Sequence, residues 1–236
     1  MHTEAVHVNC QNLPKLAILG GTGDQGSALA LRWAIAGYPV TLGSRSLERA
    51  RNVADRLSRQ HCRVTLKAAR NRDAAAAADI VVLTVPFSVQ RATVEEVCDV
   101  LDGKILIDVT VPLVPPKVAR VQLPDDGSAV VGIQKRLGSS VKVVSAFQNV
   151  SAQHLKNIDE PIDCDVLVCG DDVGARNVAI KLAEAARMRG IHSGPLVNSV
   201  AAEALTSVLI GINKRYKVTG AGISITGLPG QTRDSD

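Results

Sequence analysis

Three glycines and two arginines early in the chain have the types and spacing to do chemistry. Gly21-x-Gly23-x-x-Gly26 follows an apolar run, Leu16 to Leu19, and opens directly into a helical pattern. Between a strand and a helix, this spacing is the fingerprint of a dinucleotide site. Gly21 is expected to take the tight turn, Gly23 to let the backbone approach a pyrophosphate, and Gly26 to let the helix pack close to the strand. Thr22, Asp24 and Gln25 lie between them, where the N–H groups of the new helix favour an anion. The end of the next strand selects the dinucleotide. An NAD site carries Asp or Glu there, about 20 residues on, for the ribose 2′-hydroxyl. This chain has Gly43-Ser44-Arg45 and no carboxylate until Glu48. A carboxylate would repel a 2′-phosphate, whereas a hydroxyl and a guanidinium bind one, the guanidinium through charge-assisted bidentate bonds. Arg49 lies one helical turn beyond Arg45 and can close a clamp from the same side. The pattern favours NADP(H) over NAD(H).

Ligands of a parallel sheet lie beyond the carboxyl ends of its strands. The residues expected at that edge are Thr22, Ser44-Arg45, Thr84-Val85-Pro86, Val109-Thr110 and Phe147-Gln148-Asn149. All but Arg45 are small, apolar or neutral polar, and no Asp–His or Cys–His pair gathers there. Asp108 is the one carboxylate nearby, and a loop cap accounts for it. His154 and His192 are isolated. Hydrolysis and alcohol oxidation need a positioned base, so the edge points away from both. It suits direct hydride transfer between two bound cofactors, in which the protein mainly sets distance and orientation.

The elements that must hold these residues alternate. Strands are predicted at 15–20, 38–43, 63–67, 79–84, 104–108, 141–146 and 165–169, and helices at 24–37, 46–60, 71–77, 88–101, 173–189 and 198–216. Alternation of this kind predicts an α/β fold, Rossmann-type and doubly wound, with a mostly parallel sheet and a small C-terminal helical portion. Residues 1–14 read as a flexible extension, 15–150 as the dinucleotide-binding domain and 151–236 as a smaller C-terminal domain. Val111 to Gly127 holds four prolines and reads as a loop; Gly220 to Gly230 reads as an irregular tail. Hydrophobic residues make up 46 % of the chain and aromatic ones 2 %, so the core must be aliphatic, as buried parallel strands require. The net charge of +4 suits anionic small molecules and is too diffuse for nucleic acid. The five cysteines match no zinc or CxxC spacing, which predicts reduced thiols in a cytoplasmic protein without a metal. No stretch reads as a membrane span or a signal peptide.

Several further motifs carry a family resemblance. They are Gly20-Gly21-Thr22-Gly23-Asp24-Gln25-Gly26, Gly43-Ser44-Arg45, Leu83-Thr84-Val85-Pro86, Ala146-Phe147-Gln148-Asn149-Val150-Ser151-Ala152, Asp163-Cys164-Asp165, Gly194-Pro195-Leu196, Leu205-Thr206 and the ending Ala221 to Pro229. With these the chain resembles the NADP reductases dependent on coenzyme F420, an 8-hydroxy-5-deazaflavin, from Lys15 to Pro229. The resemblance implies hydride transfer between NADP(H) and coenzyme F420. It implies that Ser44, Arg45 and Arg49 hold the 2′-phosphate, that Thr22 lies at the nicotinamide, and that Thr84, Val85 and Pro86 lie beside its ribose. The deazaflavin would stack on the nicotinamide under Phe147, Gln148, Asn149, Pro195, Leu196 and the helix carrying Thr206. Thr22, Gln148 and Thr206 are then the polar side chains that orient the rings, with no obligatory acid or base. Some members have His in place of Gln148 and Ser in place of Ala204.

Three other readings compete. An atypical short-chain reductase fits Gly20-x-x-Gly23-x-x-Gly26, but Tyr38 and Tyr216 are followed four residues later by Leu42 and Gly220, so its Tyr-x-x-x-Lys pair is missing. A reductase passing hydride from NADPH to an ordinary flavin is hard to separate from a deazaflavin enzyme by sequence. A non-catalytic NADP(H) sensor would keep the glycine loop and the arginines. The helix at 198–216 carries Val208, Leu209 and Ile212 on a wide apolar stripe, which predicts a homodimer across a two-fold interface; the alternative is that the stripe covers the chain's own sheet.

Overall fold

The computed structural model describes residues 13–62 and 64–228. In chain order, β1 (Leu16–Leu19) leads to α1 (Asp24–Ile35), β2 (Val40–Ser44) to α2 (Leu47–Gln60), and β3 (Lys67–Arg70) to α3 (Asn71–Ala77). Then come β4 (Ile80–Leu83), α4 (Phe87–Val97), β5 (Ile105–Asp108), α5 (Ala129–Leu137), β6 (Lys142–Ser145) and α6 (Ala152–Lys156). The chain continues through β7 (Asp165–Gly170), α7 (Val173–Ala185), β8 (Arg189–His192) and α8 (Ser199–Tyr216). The strands form one sheet in the order β3-β2-β1-β4-β5-β6-β7-β8. Neighbours are parallel except β6 and β7, which run antiparallel. The sheet is wound outward from β1 in both directions, so a crevice opens above the carboxyl ends of β1 and β4. It also runs on through the division expected at residue 150, since β7 and β8 extend it.

Every residue of Leu16-Ala17-Ile18-Leu19 and of Ile80-Val81-Val82-Leu83 is buried, because helices cover both faces of the sheet. Successive residues alternate between two cores. Leu16, Ile18 and Val82 meet Leu29 and Trp33 of α1 and Leu182 of α7 on one face. Ala17, Leu19, Val81 and Leu83 meet Ala74, Val94 and Val130 on the other. Arg32 is buried in the first layer and donates to the carbonyls of His154, Leu155, Asn157 and Ala186. The carbonyls of Leu155, Asn157 and Ala186 are ones that α6 and α7 leave unpaired at their C-termini, while that of His154 also accepts from the Asn157 N–H, so one guanidinium ties off two helix ends and meets their partial negative charge.

Several boundaries differ from the sequence reading. The paired third strand is Lys67–Arg70, not 63–67. Val64 and Leu66 are buried beneath the connection instead, and their alternation mimicked a strand. The helix expected to reach Arg189 ends at Ala185; Arg187 turns the chain at φ 64° into β8, which was not expected. The helix α5 was missed. The stripe expected on α8 is divided between core and surface. Its buried residues are Ser199, Ala202, Glu203, Ser207 and Leu209, while Val208 and Ile212 are exposed. Contrary to expectation, the 21 residues Leu196–Tyr216 are long and apolar enough by composition to cross a membrane. The Val, Leu, Ile and Ala residues among them account for that, and Glu203 lies buried on the same helix against α5. Residues 220–228 carry no helix or strand, as expected. Most of the extension at 1–14, and Pro229, lie outside the described residues.

Candidate functional site

The crevice above β1 and β4 is a groove with two halves that share Gly23, Thr84, Val85 and Pro86. The loop after β1 makes the join. The positive φ falls on Gly20, at 77°, rather than on Gly21, so the tight turn belongs one residue earlier than the spacing suggested. Gly21 is a packing glycine: a Cβ there would lie 2.7 Å from the Ile18 carbonyl oxygen, and its N–H is already bound by Ile18 and Gly43. Gly23 is exposed on the floor of the groove, with its nearest neighbour 3.4 Å from an added Cβ. Gly26 packs as expected, since a Cβ there would collide with Thr84 Oγ1. That hydroxyl donates to the Leu19 carbonyl at 2.9 Å and fixes the end of β4 against β1.

The first half has a volume of about 360 Å³ and carries Thr22, Ser44, Arg45, Ser46 and Arg49. Ser46 caps α2, with its Oγ accepting from the Arg49 N–H at 3.2 Å. The capped helix therefore aims its positive end at this half. Arg45 and Arg49 are exposed and form no ion pair among the described residues. No carboxylate lines this half. Two guanidiniums, a buried serine at the end of β2 and a helix N-terminus fit a phosphate monoester. The residues present thus fit the adenosine half of NADP(H).

The second half is a chamber of about 600 Å³. Its walls are largely apolar and come from Val85, Pro86, Val109, Val150 and a stretch from Val111 to Val118. The proline-rich loop after β5, read from sequence as a connection, supplies that wall. Gln148 and Thr206 face the chamber. Thr206 Oγ1 donates to the Gln148 carbonyl at 2.8 Å, and Gln148 Nε2 donates to the Asp108 carbonyl at 2.7 Å. Gln148 Oε1 is left buried without a partner among the described residues, an unused acceptor on a residue that lines the chamber. An apolar cleft with one oriented acceptor fits a flat heteroaromatic ring bearing N–H donors. Asp24 is the only ionisable side chain of this half; it is exposed and paired with Lys156 at 2.9 Å.

The other expected site residues divide between the groove lining and the core beneath it. Thr22 sits in the arginine-bearing half, not in the chamber. Gln25 lines the chamber and donates to the Phe147 carbonyl at 2.9 Å. Phe147 itself is fully buried, edge-on to Trp33 at 5.8 Å, with φ 71°. That left-handed turn is what directs Gln148 toward the groove. Asn149 is buried and donates to the Asp165 carbonyl, tying the loop to β7. Leu196 is buried in the core against α5, and Pro195 lies outside the groove lining. Asp108 is wholly buried; it accepts from the Thr110 N–H at 2.9 Å and from Gln90 at 2.6 Å, and burial raises its pKa. It caps the loop that forms the chamber wall, as expected.

One buried acid was not found from sequence. Glu203 on α8 accepts from Ser128 Oγ at 2.6 Å and from the Ala129 and Val130 N–H groups at 2.8 and 3.3 Å. It closes the N-terminus of α5 and so clamps α5 to the helix that carries Thr206. Burial pushes its pKa up to about 7, against the pull of those donors.

A family model for NADP oxidoreductases dependent on coenzyme F420 matches residues 15–112. The F420-dependent NADP reductase of Methanocaldococcus jannaschii is 42 % identical over 222 residues, covering 91 % of this chain and 99 % of that protein. The one from Methanothermobacter thermautotrophicus is 41 % identical over 224 residues, covering 92 % and 97 %. Among solved structures, a proposed F420-dependent NADP reductase from Arthrobacter sp. fb24 superposes with a TM-score of 0.75 at 25 % identity, over 91 % of this chain and 100 % of that one.

Proposed function

The chain belongs to the F420-dependent NADP reductases, and on that premise we propose how its groove divides the work of that reaction. The protein is an oxidoreductase that moves a hydride between NADP(H) and the deazaflavin coenzyme F420. The half with Ser44, Arg45 and Arg49 holds the 2′-phosphate, Gly23 and the start of α1 take the pyrophosphate, and the chamber takes the two rings. The observation that carries this division is the continuity of the two halves at Gly23 and Thr84 to Pro86, one basic and free of carboxylates, the other apolar and free of buried acids. When bound, the nicotinamide and the deazaflavin supply the hydride donor and acceptor between them. The chain's own residues position and exclude water. Gln148 offers Oε1 to a ring N–H, Thr206 holds the Gln148 backbone, and Val111 to Val118 exclude water from one side. No side chain lining the chamber is placed to give or take a proton obligatorily.

Residues 15–150 bind the dinucleotide in this reading, and the chain from 151 onward covers the chamber and makes a homodimer. The exposed Val208, Ile212 and Tyr216 on α8 support the second part. The four cysteines among the described residues are free, two of them exposed, which fits a reducing compartment such as the cytoplasm. The test is direct. The protein is mixed with NADPH and oxidised F420, and the loss of deazaflavin absorbance is followed, with FMN in a parallel assay. Rapid loss with F420 and none with FMN is expected; turnover with FMN alone would transfer the activity to ordinary flavins.

A further inference from the structure

The arginine-bearing half of the groove contains a buried polar atom with no role so far. Asn71 follows β3 directly, is 2 % exposed, and lines the same half as Ser44, Arg45 and Arg49. Its Nδ2 donates to Glu96 Oε2 at 3.1 Å. A carboxylate only accepts, so this bond fixes which way the amide faces. Turning the amide over would set oxygen against oxygen. Asn71 Oδ1 is therefore held away from Glu96, and it has no hydrogen-bond partner among the described residues. A buried acceptor of this kind calls for an explanation. Helix capping does not supply one, because Arg70 is the cap residue of α3 and no side chain caps it. The oxygen lies at the end of β2: a Cβ on Gly43, next to Ser44, would be 3.2 Å from it.

We propose that Asn71 Oδ1 is a further recognition point for the adenosine half of NADP(H), accepting a hydrogen bond from one of its donors, and that Glu96 is the positioning residue that aims it. This rests on the reading of the groove given above. With the 2′-oxygen esterified to phosphate, adenosine offers two such donors, the ribose 3′-hydroxyl and the adenine 6-amino group. Both are present in NADH as well. Asn71 thus contributes affinity for the adenosine in general, while Arg45 contributes the choice of NADP(H).

Calorimetric titration with NADPH and NADH tests this, using the wild type, Asn71→Ala, Glu96→Gln and Arg45→Ala. Asn71→Ala is expected to weaken NADPH and NADH equally, by about five- to thirtyfold, the scale of one hydrogen bond. Glu96→Gln lets the amide turn and should weaken NADPH by about two- to fivefold, with no further effect in the Asn71→Ala background. Deamino-NADPH, which lacks the 6-amino group, identifies the donor. If wild type and Asn71→Ala bind it equally, the amino group is the partner; if the gap between them persists, the 3′-hydroxyl is. The proposal is overturned if Asn71→Ala binds NADPH within twofold of wild type while Arg45→Ala is impaired. It is overturned equally, should Asn71→Ala not fold, by a Glu96→Gln affinity unchanged from wild type. If Arg45→Ala also binds NADPH normally, the groove is not the NADP(H) site and the underlying reading falls instead.

Discussion

Replacing Glu203 by Gln should flatten the dependence of stability on pH in a defined interval. The carboxyl is 1 % exposed, and burial moves its pKa from 4.5 up to about 7. Between those two values the folded protein keeps the proton and the unfolded chain has released it. The unfolded state then binds fewer protons, so stability falls as pH rises through this interval and is constant on either side of it. At about 1.4 kcal/mol per pH unit, the interval amounts to roughly 3 kcal/mol. Glutamine keeps the shape and an acceptor for the Ala129 N–H but carries no titrating proton. Asp108 on β5, the buried acid that also acts on Glu203, remains in both proteins and largely cancels in the comparison. The assay is urea denaturation of wild type and Glu203→Gln at pH 4.5, 5.5, 6.5 and 7.5. The wild type should lose about 3 kcal/mol more than the variant from the lowest to the highest pH. Profiles that run parallel within about 1 kcal/mol would refute the reasoning. They would mean that the three donors at the start of α5 outweigh the burial, and that Glu203 is a permanently charged cap.

Four other outcomes are expected. Arg45→Ala should weaken NADPH by about ten- to a hundredfold, the range for a charged hydrogen bond, and leave NADH nearly unchanged in equilibrium titrations. Thr206→Val releases the Gln148 backbone and should slow single-turnover hydride transfer by about tenfold without abolishing it; complete loss with both cofactors bound would point to a proton relay. Arg32→Met leaves the helix-end carbonyls of Leu155, Asn157 and Ala186 without their donor and should cost at least about 3 kcal/mol in denaturant unfolding. Light scattering at micromolar concentration should give the mass of two chains, and Ile212→Glu, at an exposed position on α8, should shift it toward one.

The readable part of this fold was local. Leu16–Leu19 and Ile80–Leu83 announce buried parallel strands because each is apolar throughout, and the Gly20–Gly26 loop announces the ligand because the turn permits few other residues. Arg45 and Arg49 needed only their distance from that loop. What escaped depends on residues far apart in the chain. The helix α5 begins Ala-Val-Val-Gly, a poor helical sequence, and its start is completed by Glu203, 74 residues away from Ala129. The edge strand β8, Arg-Gly-Ile-His, has a single aliphatic residue and is defined only by pairing with β7.

The same distinction separates the expected site residues that reach the groove from those that do not. Phe147, Asn149 and Leu196 belong to motifs that the resemblance associated with the deazaflavin, yet all three are buried. Phe147 packs on Trp33, Asn149 holds β7, and Leu196 fills the core against α5. Their effect on the ligand is indirect: they fix the loop on which Gln148 and Val150 face inward. A motif marks where a structure must be exact, and a residue can meet that demand from beneath a site as well as from within it. Asn71 is the converse. It stands in none of those motifs, and nothing adjacent to it in sequence suggests a ligand. Its significance comes from Glu96, 25 residues on, which uses one end of the amide and leaves the other without a partner among the described residues.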